Sequence, residues 1–86
     1  MYVGEKRICH DTWCLIEEVN TGDSFLLQNV SNNPIRYVVL DSVPAETVNG
    51  GVIMPYQQLA FKKVGGDLYM KKDEANGYIE IEKVES

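Results

Sequence analysis

The hydrophobic pattern is most informative in SFLLQNVSNNPIRYVVLD, where two apolar stretches flank a short polar turn. The spacing predicts two β-strands, Ser24–Val30 and Ile35–Asp41, joined as a hairpin by Ser-Asn-Asn-Pro. With a four-residue loop, Val30 pairs with Ile35 across the hairpin. One end of the hairpin is then polar, and the other end is apolar on both faces.

A strand pair that is apolar on both faces must be shielded from water by protein on both faces. A sheet with one face in water alternates apolar and polar side chains, and this pair does not. One face of its apolar end carries Phe25, Leu27, Val38 and Leu40. A chain of 86 residues has little material for a second covering layer. We therefore predict that these four side chains form a contact between subunits.

The second half of the chain predicts a three-stranded meander. Leu59–Val64 and Asp67–Lys72 flank Gly65-Gly66, which is typical of a two-residue hairpin turn. Tyr78–Val84 then returns beside Asp67–Lys72 after a loop at residues 73–76. The predicted core face consists of Leu59, Phe61, Leu68, Met70, Ile79 and Ile81. The predicted solvent face consists of Lys62, Tyr69, Lys71, Tyr78, Glu80 and Glu82.

The remaining segments fit the same all-β pattern. Trp13–Val19 reads as a strand with Trp13 and Leu15 on one face, and Val52–Met54 reads as a short strand. No segment has a sustained helical period. We predict an all-β fold, a small antiparallel β-sandwich or jelly-roll-like barrel of about seven or eight short strands. Residues 1–12 form an N-terminal arm or edge strand, and residues 13–86 form a single β domain.

Composition excludes several classes of protein. The hydrophobic fraction of 44% suits a globular domain rather than a disordered chain. A net charge of −5 is the wrong sign for nucleic-acid binding, which needs basic surfaces. No apolar run approaches the roughly 20 residues that a membrane helix needs. The first residues lack the apolar core of a signal peptide, so we expect a cytosolic setting in which thiols stay reduced.

The two cysteines leave their own role open. Cys9 and Cys14 flank His10, and this set offers two thiolates and an imidazole to a metal ion. A structural zinc site needs four ligands, and the sequence has no other histidine or cysteine. A local disulfide is a second possibility. The favoured interpretation is that both cysteines act as small, half-buried hydrophobic residues.

No catalytic set can be assembled from the sequence. His10 is next to Asp11, but adjacent strand residues point to opposite faces. Pairing His10 with Cys14 would give a thiolate nucleophile, yet nothing marks an oxyanion hole. The glutamate pairs fit exposed strand positions, and the glycine pairs lack the helix and lysine of a phosphate-binding loop. We predict no enzymatic activity and no cofactor.

The order of motifs provides one likeness to a known class. The motifs are Trp13, LLQNVS at 26–31, PIRY at 34–37, DSVP at 41–44, GGVIMP at 50–55, LYMK at 68–71 and GYI at 77–79. Taken over residues 13–83, this order resembles short all-β virion proteins of tailed phages. The resemblance implies a β-sandwich protomer, a three-fold assembly, and binding without a cofactor. It supplies no catalytic residues.

We therefore predict a non-enzymatic structural virion protein, a homotrimeric capsid decoration protein that stabilises the phage head. Its expected partners are copies of itself and the major capsid protein or another virion protein, without nucleic acid or membrane. It would be made in the host cytoplasm and act in the virion. The alternatives are a phage tail or fibre component, or a small acidic adaptor that binds a host protein.

Overall fold

The chain folds into β-strands alone over the residues that the computed structural model describes, which are 2–9, 12–45, 48, 50–72 and 77–84. The strands are β1 (Tyr2–Ile8), β2 (Cys14–Leu15), β3 (Ser24–Asn29), β4 (Ile35–Leu40), β5 (Gly51–Ile53), β6 (Gln58–Lys62), β7 (Asp67–Lys71) and β8 (Gly77–Val84). This architecture confirms the prediction of a small antiparallel β-sandwich with about seven or eight short strands.

The strands form two antiparallel sheets of four strands each. Sheet 1 has the order β1-β8-β3-β6, and sheet 2 has the order β2-β7-β4-β5. Both sheets contribute apolar side chains to one shared core, where each large aliphatic side chain contributes about 1.5–3 kcal/mol. The core consists of Ile8, Ile16, Val19, Phe25, Leu27, Ile35, Ile53, Leu68, Met70, Ile79 and Ile81.

Nearly every connection carries the chain from one sheet to the other. Of the consecutive strands, only β4 and β5 pair with each other, with Ile35 opposite Ile53. The other connections are arches, in which successive strands face each other across the core instead of sharing hydrogen bonds. Apart from the β4–β5 pair, the strands therefore have their hydrogen-bonding neighbours far away in the sequence.

The predicted hairpin across Ser-Asn-Asn-Pro is wrong. Strand β3 lies in sheet 1 between β8 and β6, whereas β4 lies in sheet 2 between β7 and β5. Leu27 is opposite Ile81 on one side and Leu59 on the other, and it has no pairing with β4. The chain does supply a second layer, because the strands of its two sheets are only two to eight residues long.

The two hairpins of the predicted meander are also wrong, although the predicted core face is correct. Strand β7 belongs to sheet 2, while β6 and β8 belong to sheet 1. Leu68 and Met70 therefore meet Ile79 and Ile81 across the core instead of beside them, and Leu59 and Phe61 pack against the same cluster. The predicted loop at 73–76 lies outside the described residues.

Strand boundaries differ from the prediction at the beginning of the chain. Tyr2–Ile8 forms an edge strand of sheet 1 next to β8, which corresponds to the edge-strand alternative for residues 1–12. The predicted strand Trp13–Val19 is reduced to Cys14–Leu15, with one further hydrogen bond from the Ile16 amide to the Leu68 carbonyl at 2.9 Å. The chain then turns at Glu17 and Glu18.

Candidate functional site

The outward-facing side of sheet 1 is polar. Along β3, the inward positions carry Phe25 and Leu27, while the outward positions alternate with them. The register of the four strands defines the outer face of sheet 1, which carries Glu5, Arg7, Ser24, Leu26, Gln28, Gln58, Ala60, Lys62, Tyr78, Glu80, Glu82 and Val84. Three glutamates, one arginine and one lysine give this surface the character of an ordinary solvated sheet face.

The outward-facing side of sheet 2 is apolar at most positions. Strand register and alternation place nine residues there, and we call this set the outer face of sheet 2. They are Trp13, Leu15, Arg36, Val38, Leu40, Val52, Asp67, Tyr69 and Lys71. The large aliphatic side chains Leu15, Leu40 and Val52 remain exposed on this face. No glutamate lies among these nine residues.

Tyr69 and Lys71 are buried on this face, which contradicts their prediction as solvent-facing residues. Tyr69 is only 5% exposed, because Leu15 and Val38 flank it on the two neighbouring strands. The ammonium group of Lys71 lies 4.7 Å from the centroid of the Trp13 ring. Such a cation–π contact contributes about 0.5–1 kcal/mol or more when it is shielded from water.

Trp13 is held in place by a second contact at the edge of the sheet. Its indole Nε1 donates a hydrogen bond of 3.2 Å to the carbonyl of Ala45. This contact joins the beginning of β2 to the loop that follows β4. Sequence reasoning placed Trp13 and Leu15 on a common face but did not connect them with Val38, because that connection depends on β7 lying between the two strands.

The four predicted interface residues separate into two pairs. Phe25 and Leu27 are 2% and 0% exposed within the single chain, so they belong to the protomer's own core. Val38 is half-buried and Leu40 is 38% exposed, and both lie on the outer face of sheet 2. The structure does not bring the two pairs together, because β3 and β4 lie in different sheets. Contact of Val38 and Leu40 with a second subunit stays a prediction.

A polar cluster holds the arch between β3 and β4. The Asn29 side chain is fully buried, and its Nδ2 donates to the carbonyls of Asn33 at 2.8 Å and Ile53 at 2.9 Å. Its Oδ1 accepts hydrogen bonds from the Ser31 amide at 2.9 Å and the Ser31 hydroxyl at 2.6 Å. Every polar atom of this amide is therefore satisfied, as burial requires.

Lys72 completes the cluster from the end of β7. Its Nζ donates to the Ser31 hydroxyl at 3.1 Å and to the Asn33 carbonyl at 3.3 Å. The side chain passes over Gly77, where an added Cβ would come within 2.6 Å of the Lys72 Cδ. A hydroxyl beside an amine can act as a nucleophile and base, but this amine donates to two oxygens and is 0% exposed. The arrangement indicates a structural clamp.

The two cysteines form a disulfide, so their interpretation as half-buried hydrophobic residues is wrong. The Cα atoms of Cys9 and Cys14 are 5.9 Å apart. The bond ties the end of β1 in sheet 1 to the beginning of β2 in sheet 2. His10, the third member of the predicted metal set, lies outside the described residues. Among the residues that the structure describes, no cluster of three or more His, Cys, Asp or Glu could hold a metal ion.

An open depression lies at one end of sheet 1. Its volume is about 300 Å³, and it is lined by Ser24, Phe25, Ala60, Phe61, Lys62 and Val84. Lys62 is the single titratable group in this lining, so the depression holds no acid–base pair of two titratable side chains. The surface that differs from an ordinary solvated face is the outer face of sheet 2, and it is the candidate functional site.

Comparison with known proteins adds no name to this geometry. No family model matches the chain, and neither the curated proteins nor the solved structures provide a match. Within its described segments, the protein has no helix that is long and apolar enough to cross a membrane.

Proposed function

We propose that this protein works by binding and assembly without chemistry, as a structural virion protein. Its most specific form is a homotrimeric capsid decoration protein that stabilises a phage head by bridging neighbouring shell subunits. Such a protein contributes interface free energy only to the assembled shell, which shifts the assembly equilibrium by mass action. The outer face of sheet 2 is the surface through which it would make these contacts.

The observation that carries the proposal is the composition of that face. Trp13 and Arg36, which are both partly exposed, belong to the residue types that are enriched at the centres of protein interfaces. Exposed Leu15 and Val52 extend the apolar surface on either side. A face that only met water would carry mostly polar residues, as the outer face of sheet 1 does at eight of its twelve positions.

The charge distribution favours contact between copies through this face. The chain carries a net charge of −5, which opposes self-association in general. The outer face of sheet 2 carries Arg36, Lys71 and Asp67, and Asp67 forms an ion pair with Lys63 at 3.8 Å. The acidic residues of the sheets lie mainly on the opposite side of the molecule. Self-association through sheet 2 therefore brings the least acidic sheet faces together.

The assignment to a virion rests on the sequence resemblance over residues 13–83. The class implies a β-sandwich protomer and three-fold assembly. A tail or fibre component would use the same kind of self-association in another part of the virion. A gene position next to a major capsid gene supports a head protein, and a position among tail genes supports the alternative.

The test compares the same charge on the two outer faces. Val38→Asp introduces a carboxylate at the centre of the outer face of sheet 2, and Leu26→Asp introduces one on the outer face of sheet 1. Light scattering and sedimentation at micromolar concentration should show a trimer for the wild type and for Leu26→Asp, and a folded monomer for Val38→Asp. A wild-type monomer, or a normal trimer in Val38→Asp, contradicts the proposal.

A second candidate function is supported by the outer face of sheet 1. Glu5, Glu80 and Glu82 lie together on neighbouring strands, with the exposed rings of Tyr2 and Tyr78 beside them. An acidic and aromatic surface of this kind suits an adaptor that binds a basic host protein. Its affinity would fall with added salt, because the attraction between exposed charges is screened. Contacts through the apolar face would depend much less on salt.

A further inference from the structure

The disulfide between Cys9 and Cys14 joins the edges of the two sheets. Cys9 directly follows the edge strand of sheet 1, and Cys14 begins the edge strand of sheet 2. The Cys9 carbonyl also accepts a hydrogen bond of 2.9 Å from the Lys72 amide. The β1 side of this corner is therefore held by the backbone even without the sulfur bond.

The β2 side of the corner is attached by a shorter strand, together with the hydrogen bond from Trp13 to Ala45 and the contact of Trp13 with Lys71. Strand β2 contains two residues, and its pairing with β7 places Cys14 opposite Met70 and Leu15 opposite Tyr69. The chain becomes firmly anchored again at Ile16, which is 1% exposed in the core. Trp13 and Leu15, both on the outer face of sheet 2, lie directly before and after Cys14. The disulfide is thus attached to the segment that forms the edge of the proposed binding face.

We propose that the Cys9–Cys14 bond is a redox latch for the outer face of sheet 2. In the oxidised protein the bond fixes β2, so that Trp13 and Leu15 complete the apolar surface beside Tyr69. In the reduced protein the segment between Cys9 and Ile16 gains freedom, and the face binds more weakly. This inference rests on the proposed function, because it describes the regulation of that same face.

The chemistry of the latch is thiol–disulfide exchange with a small disulfide such as oxidised glutathione. The Cys9 thiolate, which is exposed, attacks one sulfur of oxidised glutathione and releases one glutathione thiolate. The Cys14 thiolate then attacks the Cys9 sulfur of this mixed disulfide and releases the second glutathione. The two protein thiols lose two electrons and two protons, and oxidised glutathione is reduced to two thiols.

The redox state of the compartment then determines how strongly the outer face of sheet 2 binds. Glutathione and thioredoxin keep most thiols reduced in a cytosol, whereas disulfides persist in oxidising surroundings. A protein made in a reducing cytoplasm would leave the cell with Cys9 and Cys14 reduced. Oxidation after release would order β2 and tighten contacts that had already formed. The latch would therefore stabilise an assembly after release from the cell.

Trp13 is a specific reporter for this proposal, because it is the single tryptophan of the chain and lies next to Cys14. The protein is equilibrated in buffers with different ratios of reduced to oxidised glutathione. Acrylamide quenching of the Trp13 fluorescence and the self-association constant from sedimentation are measured in each buffer. Reduction should increase quenching, weaken association by about tenfold, and leave the far-ultraviolet circular dichroism of the sheets unchanged.

Two variants separate the latch from the proposed function. The double variant Cys9→Ser/Cys14→Ser should match the reduced protein in every buffer. Val38→Asp should lose association but keep the redox response of Trp13. Equal quenching in oxidised and reduced wild type overturns the latch, as does altered quenching with an unchanged association constant. An oxidised protein that never associates contradicts the proposed function, and it also removes the regulatory role of the latch even if Trp13 still responds.

Discussion

The two outer faces of this molecule cover the same core but differ in composition. Eight of the twelve residues on the outer face of sheet 1 are polar or charged, whereas six of the nine on the outer face of sheet 2 are apolar or aromatic. Those six are Trp13, Leu15, Val38, Leu40, Val52 and Tyr69. Both sheets contribute inward side chains to the core, so core packing does not require the difference. This difference is the reason for proposing that the surface of sheet 2 is used for binding.

The origin of the difference lies in two strands. Strand β3 points Phe25 and Leu27 inward and Ser24, Leu26 and Gln28 outward, so two of its three outward side chains are polar. Strand β4, IRYVVL, is apolar on both sides at its second half, with Val39 packed against the core. Alternation of apolar and polar residues is typical of a strand with one face in water. Its loss in β4 indicates a strand whose two faces are both shielded from water.

The largest expected effect is on the free energy of unfolding, and it distinguishes a core position from a position on the outer face of sheet 1. Leu27→Asp places an unpaired charge at a fully buried position and should cost more than about 4 kcal/mol, enough to unfold the domain. Leu26→Asp, one position earlier, points outward opposite Ala60 and Glu82 and should cost about 1 kcal/mol. Urea denaturation measures both, and similar costs would contradict the register of β3.

The next largest effect on stability comes from replacing one tyrosine on each outer face with serine. Tyr69→Ser removes a ring that is 5% exposed on sheet 2 and should lower the free energy of unfolding by about 2–4 kcal/mol. Tyr78→Ser removes a ring that is 47% exposed on sheet 1 and should change it by less than about 0.5 kcal/mol. Thermal and urea unfolding of the pair would refute the contrast if the two costs were equal.

A smaller effect concerns the edge of the apolar face. Trp13→Leu removes both the ring over Lys71 and the hydrogen bond to Ala45, and should cost about 1–2 kcal/mol. A double-mutant cycle with Lys71→Met isolates the cation–π contact, for which we expect a coupling energy of about 0.5–1 kcal/mol. A coupling energy of zero would mean that Trp13 covers the face without attracting the ammonium group.

The smallest effect concerns protonation on the outer face of sheet 1. Partial desolvation, followed by the carboxylates of Glu80 and Glu5, raises the pKa of Tyr2 above its ordinary value of 10.0. The folded protein therefore holds this phenol proton more tightly than the unfolded chain does. The associated stability is fully present below pH 10.0 and is lost as the pH rises through the folded pKa.

Ultraviolet absorbance titration checks this shift as the difference between wild type and Tyr2→Phe. Glu80→Gln should move the pKa of Tyr2 back toward 10.0, though not completely, because desolvation is the larger cause. Glu17→Gln, which neutralises a carboxylate in the turn after β2, serves as the control. An unchanged titration in Glu80→Gln would show that the carboxylate does not act on Tyr2.

The sequence was sufficient to predict the inward faces of β6, β7 and β8 but not the partners of these strands, and it assigned the inward Phe25 and Leu27 of β3 to a subunit contact. Alternation correctly assigned Leu68, Met70, Ile79 and Ile81 to the core, because it reports which side of a strand avoids water. It does not report whether the next strand lies beside the first or across the core from it. A short polar turn can connect either arrangement, so neither turn composition nor matching faces distinguishes a hairpin from an arch.

One residue could have indicated the arch. Asn29 has the same parity as Phe25 and Leu27, so it faces inward at the end of β3. A buried amide needs several partners, and Ser31 and Asn33 supply them within four residues. A hairpin would have left this amide at a wet tip. The inward asparagine next to Ser-Asn-Asn therefore favours a chain that crosses the core.

The candidate site was predictable only in part, for the same reason. Val38 and Leu40 were selected because their strand is apolar on both sides, and that property is local. Their neighbours Trp13 and Leu15 are distant in sequence and join them only through β7. The burial of Tyr69 and Lys71 follows from this long-range assembly, as does the disulfide, which depends on β1 and β2 meeting at one corner.

The alternation of strands between the two sheets has a consequence for the rate of folding. Strand β1 pairs with β8, with Ile8 opposite Gly77, so the first strand of the fold waits for the last. Proteins dominated by such non-local pairs fold in milliseconds to seconds, more slowly than those built from local hairpins. A nascent chain that has emerged only as far as β7 would have no partner for β1, and sheet 1 would close only after residues 77–84 had left the ribosome.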